Sequence, residues 1–280
     1  MRKNKAISCF IVIFTFLFSF GSAQEKKTLE PLDTQELVLL GDSVNPEEAH
    51  VISTFLEEIS NQGIERAVEY LENQCVEYPE SSILCAYLGD VYRTMLEDNE
   101  KAWQQYQKAY QLNPNDITIK FAYGLGCNIS QKYDEGFTVF EEICSQLKKY
   151  MPADGEQVDS LLEKQAIYYY RASISAMIEM GIAVNNLDLV EKILSEEIAQ
   201  FYKDEDYFIR TSNDIYSVLE YCIELNNVDK SLKYAKMYID LYNEACGISD
   251  LFDEVGKAWL TDIAIINIQQ IERFIQNVPK

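Results

Sequence analysis

The chain has 280 residues, with 24 Lys and Arg against 46 Asp and Glu, a single His and a formal charge of −22. Its 48% hydrophobic content can build a core, which excludes a disordered or collagen-like chain. The acidic balance excludes a nucleic-acid backbone as partner and argues against docking on anionic lipid, since both need clustered cations. Eleven Gly and six Pro are too few for a chain dominated by tight turns, so composition leans towards helices.

The first 23 residues read as a secretory signal peptide. Arg2, Lys3 and Lys5 form a basic start, an apolar run follows from Ile7 to Phe20, and Gly21-Ser22-Ala23 offers small residues at a cleavage site. The run is short of the roughly 20 residues that span a bilayer as a helix, a retained anchor being the alternative. The mature chain would then begin at Gln24, with no membrane insertion after cleavage. Residues 24–45 read as a polar linker. Asn45-Pro46-Glu47-Glu48 next supplies an N-cap, a proline at the first helical position and acids at the positive end of the helix dipole.

Repeats follow. The stretch Cys85-Ala86-Tyr87-Leu88-Gly89-Asp90-Val91-Tyr92, with Ala102, Tyr106 and Pro114 after it, resembles the tetratricopeptide family. That family repeats a helix–turn–helix of about 34 residues with the pattern W-x2-L-G-x2-Y, then A-x3-F, then P. Leu88, Gly89 and Tyr92 fall on the pattern and Cys85 takes the Trp place. Ala102, Tyr106 and Pro114 keep their mutual spacing, displaced by one residue inserted in the turn between the helices. Upstream, Ala67, Leu71 and Pro79 repeat the same second-helix spacing; downstream, Gly124 takes the small-residue place of the first helix, and Gly136 and Phe140 complete the second. Degenerate units continue through Asn185-Asn186-Leu187-Asp188 and Asn226-Asn227-Val228-Asp229-Lys230, each read as a turn between helices.

The resemblance implies an all-α fold: a right-handed αα solenoid of about five helix pairs over residues 46–246. A long C-terminal helix at 250–277 would follow. A glycine within a helix costs about 1 kcal/mol relative to Ala, so Gly89 and Gly124 are expected where helices cross closely, against Ala102 and Gly136. Met151–Gln157, with Pro152 and Gly155, is expected to be the main irregular joint. From Ala258 to Ile271 only Asp262 is charged. The final helix therefore reads either as a cap over the last pair or as a docking surface for a partner or a second copy, a homodimer.

Catalytic constellations are missing. One histidine, His50, cannot build a His-based metal cluster or a Ser-His-Asp arrangement. Gly124-Leu125-Gly126-Cys127-Asn128-Ile129 lacks the last glycine of a dinucleotide fingerprint and follows no strand. Asp204-Glu205-Asp206 lacks calcium-loop spacing and reads as a solvated helix end. Adjacent acids such as Glu196-Glu197 diverge on a helix and cannot face each other across a substrate. Neither a cofactor nor a metal is expected, and the chain reads as a non-enzyme.

The resemblance places a binding groove on the first helices of the pairs. Carried over position by position, it implies Asp90 and Arg93 in the second unit, Phe121, Leu125 and Asn128 in the third, and Tyr216 and Glu220 in the fifth. The Lys and Asn that clamp a C-terminal carboxylate in some members are replaced by Ala86 and Asp90, then Phe121 and Leu125. The groove would suit an aliphatic, aromatic or basic protein segment of a periplasmic or outer-envelope assembly, or the protein's own last helix. Self-association through the last helix is the alternative. Export also permits disulfides. The six cysteines after the signal read mostly as small buried hydrophobes, but Cys75 and Cys85 fall where successive units pack together, so a disulfide between them is the alternative to two reduced packing residues.

Overall fold

The structure is a computed structural model that describes residues 45–152, 158, 161–198, 203–248, 252 and 254–277. The signal peptide, all of the linker before Asn45 and most of the irregular joint lie outside the described residues. Among those residues the protein is all-α and divides into two compact units, meeting in sequence at Asn113 and Pro114. Each is a series of helix pairs stacked in chain order, the solenoid arrangement that the resemblance implies.

The first unit holds α1 (Pro46–Gln62), α2 (Ile64–Glu77), α3 (Ser82–Thr94) and α4 (Asn99–Leu112). Asn45 opens α1 with a full capping box. Its Oδ1 accepts from the Glu47 and Glu48 amides, both at 2.9 Å, and Glu48 Oε2 accepts in return from the Asn45 amide at 3.1 Å. Gly63 joins α1 to α2 at φ +89°, a backbone angle that favours glycine. Phe55, Leu71, Leu84, Leu88 and Tyr106 are buried completely or nearly so, and form the core.

The second unit holds α5 (Ile117–Ile129), α6 (Tyr133–Leu147), α7 (Leu161–Ala183), α8 (Leu187–Ile198), α9 (Glu205–Glu224) and α10 (Val228–Gly247). The first helices of successive pairs lie side by side, α5 on α7 and α7 on α9. A final helical run covers α11 (Glu254–Ala258), a π-helical turn (Trp259–Ile263) and α12 (Ala264–Asn277), which packs on α10. The long terminal helix expected from sequence is thus a continuous helical run interrupted in phase by the π-helical turn.

Four turns within pairs share one geometry. Glu97, Gln131, Asn185 and Asn226 each sit at φ between 54° and 59°. The residue after each returns its amide to the preceding helix: Asp98 to Tyr92 O, Lys132 to Cys127 O, Asn186 to Gly181 O and Asn227 to Cys222 O, at 2.8 to 2.9 Å. Asp98, Asn186 and Asn227 then cap the next helix through their side chains. The α3–α4 turn reaches back one residue further than the others, which is where the sequence carries its insertion.

The helix crossings follow the small residues, with one difference. A Cβ on Gly89 would lie 2.6 Å from the Tyr106 ring and 3.3 Å from Ala102 O, as the spacing predicts. Gly124 and Gly136 do not face each other. Gly124 accommodates Phe140, whereas Gly136 lies against Cys127 and the Met180 methyl of α7. Its smallness serves the contact between pairs as well as the one within its own.

Candidate functional site

The groove positions carried over from the family resemblance fall into three situations. Asp90 and Arg93 belong to the first unit and are tied to its core. Asp90, 8% exposed, accepts from the Tyr106 hydroxyl at 2.7 Å and from Arg93 Nη2 at 3.2 Å. Arg93 Nε in turn donates to the Tyr106 oxygen at 2.9 Å. Burial and the Asp90 carboxylate hold the Tyr106 hydroxyl well above its ordinary pKa. This closed triad positions α4 against α3.

Phe121 is buried and does not line an open face. Its ring meets Phe140 of its own pair and Tyr169 of α7 edge-on, with centroids 5.6 and 5.3 Å away. The side-by-side packing of α5 and α7 takes up a ring that the family position would offer to a ligand. Leu125, Asn128, Tyr216 and Glu220, on α5 and α9, remain half-buried. Asn128 Nδ2 approaches Glu179 Oε2 at 3.5 Å. The Tyr216 hydroxyl donates to Gln270 Oε1 at 2.8 Å, and Asn267 donates to the Tyr238 hydroxyl at 3.0 Å, so α12 lies against this end of the unit. The last helix therefore packs on this end of the unit, while Ile263, Ile265, Ile266 and Ile275 stay exposed.

A polar cluster that the sequence does not single out sits between α7, α8 and α9. Arg171, 1% exposed, extends Nη1 to Asp204 at 2.5 Å and to Asp206 at 3.3 Å. Asp204 also caps α9 by accepting from the Tyr207 amide at 2.9 Å. Asp206 takes Arg210 Nε at 2.7 Å, and the Arg210 guanidinium lies 4.7 Å from the Tyr168 ring centroid. The acidic run expected as a solvated helix end is thus the anchor of two arginines. The available signal was Arg171 itself, a lone cation in the apolar stretch from Ala166 to Ile178.

His50 is exposed. Among the described residues no group of His, Cys, Asp and Glu is arranged to hold a metal ion. No helix of the described residues is long and apolar enough to cross a membrane. Cys75 and Cys85 are both buried thiols; Cys75 Sγ lies 3.6 Å from Leu84 O, and burial, reinforced by Cys85, pushes its pKa up to about 12.

The fold is similar to a solved structure of PilW, a widely conserved type IV pilus biogenesis factor. The match has a TM-score of 0.49 and 13% sequence identity, and covers 83% of this chain and 94% of that one. No family model matches the chain, and no curated protein does.

Proposed function

We propose that this is a non-enzymatic, exported protein of the tetratricopeptide type that holds a partner segment along the first helices of its second unit, within a periplasmic or outer-envelope assembly. The observation that carries the reading is the row of half-buried side chains Leu125, Asn128, Tyr216 and Glu220 on α5 and α9, which flank α7. Apolar and polar groups alternate there, so a partly apolar, partly basic peptide is the matching chemistry. A photo-crosslinking residue at Leu125 or Tyr216 should capture a protein adduct in cells, and one at Glu141 on α6 should not. Equal yields from all three positions would remove the reading.

Self-association is the second reading, favoured by the exposed isoleucines of the last helical run. Light scattering after size exclusion decides it: a mass equal to one chain at every concentration rules it out. Export also underlies the proposed pairing of Cys75 with Cys85, which an oxidising compartment would complete.

A further inference from the structure

Glu197, at the end of α8, and Asp214, in the middle of α9, meet inside the second unit. Glu197 is 0% exposed and Asp214 is 7% exposed, and Glu197 accepts from Thr211, one helical turn before Asp214, which brings the two carboxyl groups close enough for one to donate to the other. Two ionised carboxylates cannot make that contact, because neither has a proton to donate. Their repulsion is also strong where water is excluded.

The surrounding donors leave one atom open. Thr211 Oγ1 donates to Glu197 Oε1 at 3.1 Å, and Ser175 Oγ donates to Asp214 Oδ2 at 2.6 Å. Glu197 Oε2 is buried with no hydrogen-bond partner. A proton on that oxygen would satisfy both carboxyls at once.

The charges facing the pair do not replace the proton. From α7, Arg171 draws Glu197 towards ionisation but is bonded to Asp204 and Asp206, while Glu179 adds negative charge beside Asp214. Arg210 on α9 draws Asp214 towards ionisation but is bonded to Asp206. Tyr170 of α7 and Tyr207 of α9 feel the Glu197 charge, and Glu244 of α10 acts on Tyr207 from beyond. Glu196, next to Glu197, acts instead on Cys144.

We propose that Glu197 and Asp214 share one proton and form a pH-sensitive latch between α8 and α9, closed while the proton is held and loosened when it is lost. Burial raises both carboxyls, Asp214 to about 7. Unfolded carboxyls titrate near pH 4, so the folded chain keeps a proton that the unfolded chain has already released. The stabilisation is complete below about pH 4 and fades as pH rises through about 7, the reverse of an ordinary ion pair.

Trp259 is buried against Phe252, so in a Trp103→Phe background its fluorescence reports unfolding of the second unit of the full chain. The parent is compared with Glu197→Gln, whose amide donates to Asp214 without a titrating proton. The parent's folding constant should fall, relative to the variant's, by up to about tenfold per pH unit between pH 5 and 7. Parallel pH dependences would overturn the latch. Carboxyl carbon NMR of the unmutated protein provides a check free of folding defects. A carboxyl still titrating above pH 6 supports the shared proton, and completion of every carboxyl titration below pH 5 refutes it.

Discussion

The Tyr106 hydroxyl of α4 donates to Asp90 Oδ1 of α3 at 2.7 Å, and Arg93 closes the triangle from the next turn of α3. Asp90 and Arg93, which the sequence resemblance would offer to a ligand, both hold a core tyrosine. Tyr106→Phe should lower the stability of the first unit by about 1–2 kcal/mol in denaturant unfolding, the usual cost of one buried hydrogen bond. Asp90→Ala should cost more, about 2–4 kcal/mol, because a half-buried Arg93 loses its counter-charge. If Asp90 instead serves only a ligand, its replacement will leave stability untouched.

Two glycines should respond oppositely to an added methyl. Gly124→Ala would place a Cβ 2.6 Å from Phe140 Cζ and should cost about 1–3 kcal/mol, part of it recovered by Phe140→Leu. Gly247→Ala meets nothing within 4 Å at the end of α10, and should be neutral or stabilise by up to about 1 kcal/mol. Thermal unfolding of the two single variants and the double variant measures both effects.

The proposed Cys75–Cys85 bridge has a chemical signature. Burial pushes the Cys75 thiol up to about 12 and raises Cys85 too, so thiolate is scarce and spontaneous oxidation should be slow. Chain purified from the envelope should migrate differently on reducing and non-reducing gels, whereas Cys75→Ser should show no such difference. Identical mobility of the unmutated chain under both conditions would leave two packing thiols.

Glu191 makes the second unit sensitive to acid. Lys230, Tyr234 and Lys233 all donate to its carboxylate, at 2.8, 2.7 and 3.1 Å, and chiefly the Lys230 bond lowers it to about 2. Its unfolded counterpart titrates near 4, so this contribution is complete above that pH and is lost as pH falls towards 2. Glu191→Gln should reduce stability at neutral pH and flatten the decline between pH 4 and 2. An unchanged acid limb in the variant would show that the three donors contribute little.

The regular part of the fold was legible because it is local. Helix pairs, caps and the inserted turn residue before Asp98 are written within about one repeat length, and the structure returns each in place. The partners of Gly136 and Phe121 were harder to read, since Met180 and Tyr169 belong to the next pair and depend on how pairs stack. The polar cluster was least legible. Glu197 looks like half of an adjacent acidic pair, and only the approach of α8 to α9 turns it towards Asp214. Position on a helix wheel predicts burial, but the identity of a neighbour 17 residues away does not follow from it.

The π-helical turn at Trp259–Ile263 is equivalent to one extra residue wound into an otherwise α-helical run. Each residue advances a helix by about 100°, so the turn resets which edge of the run faces inward. At the first residue of the turn Trp259 stacks on Phe252, and downstream of the turn Ala264 and Ile271 are the buried positions. The offset works as a gear between two surfaces that one uninterrupted helix could not address in the same phase. Losing a single residue there would leave composition and length almost unaltered, yet rotate the Ile271 edge towards water and bring a different set of side chains against α10.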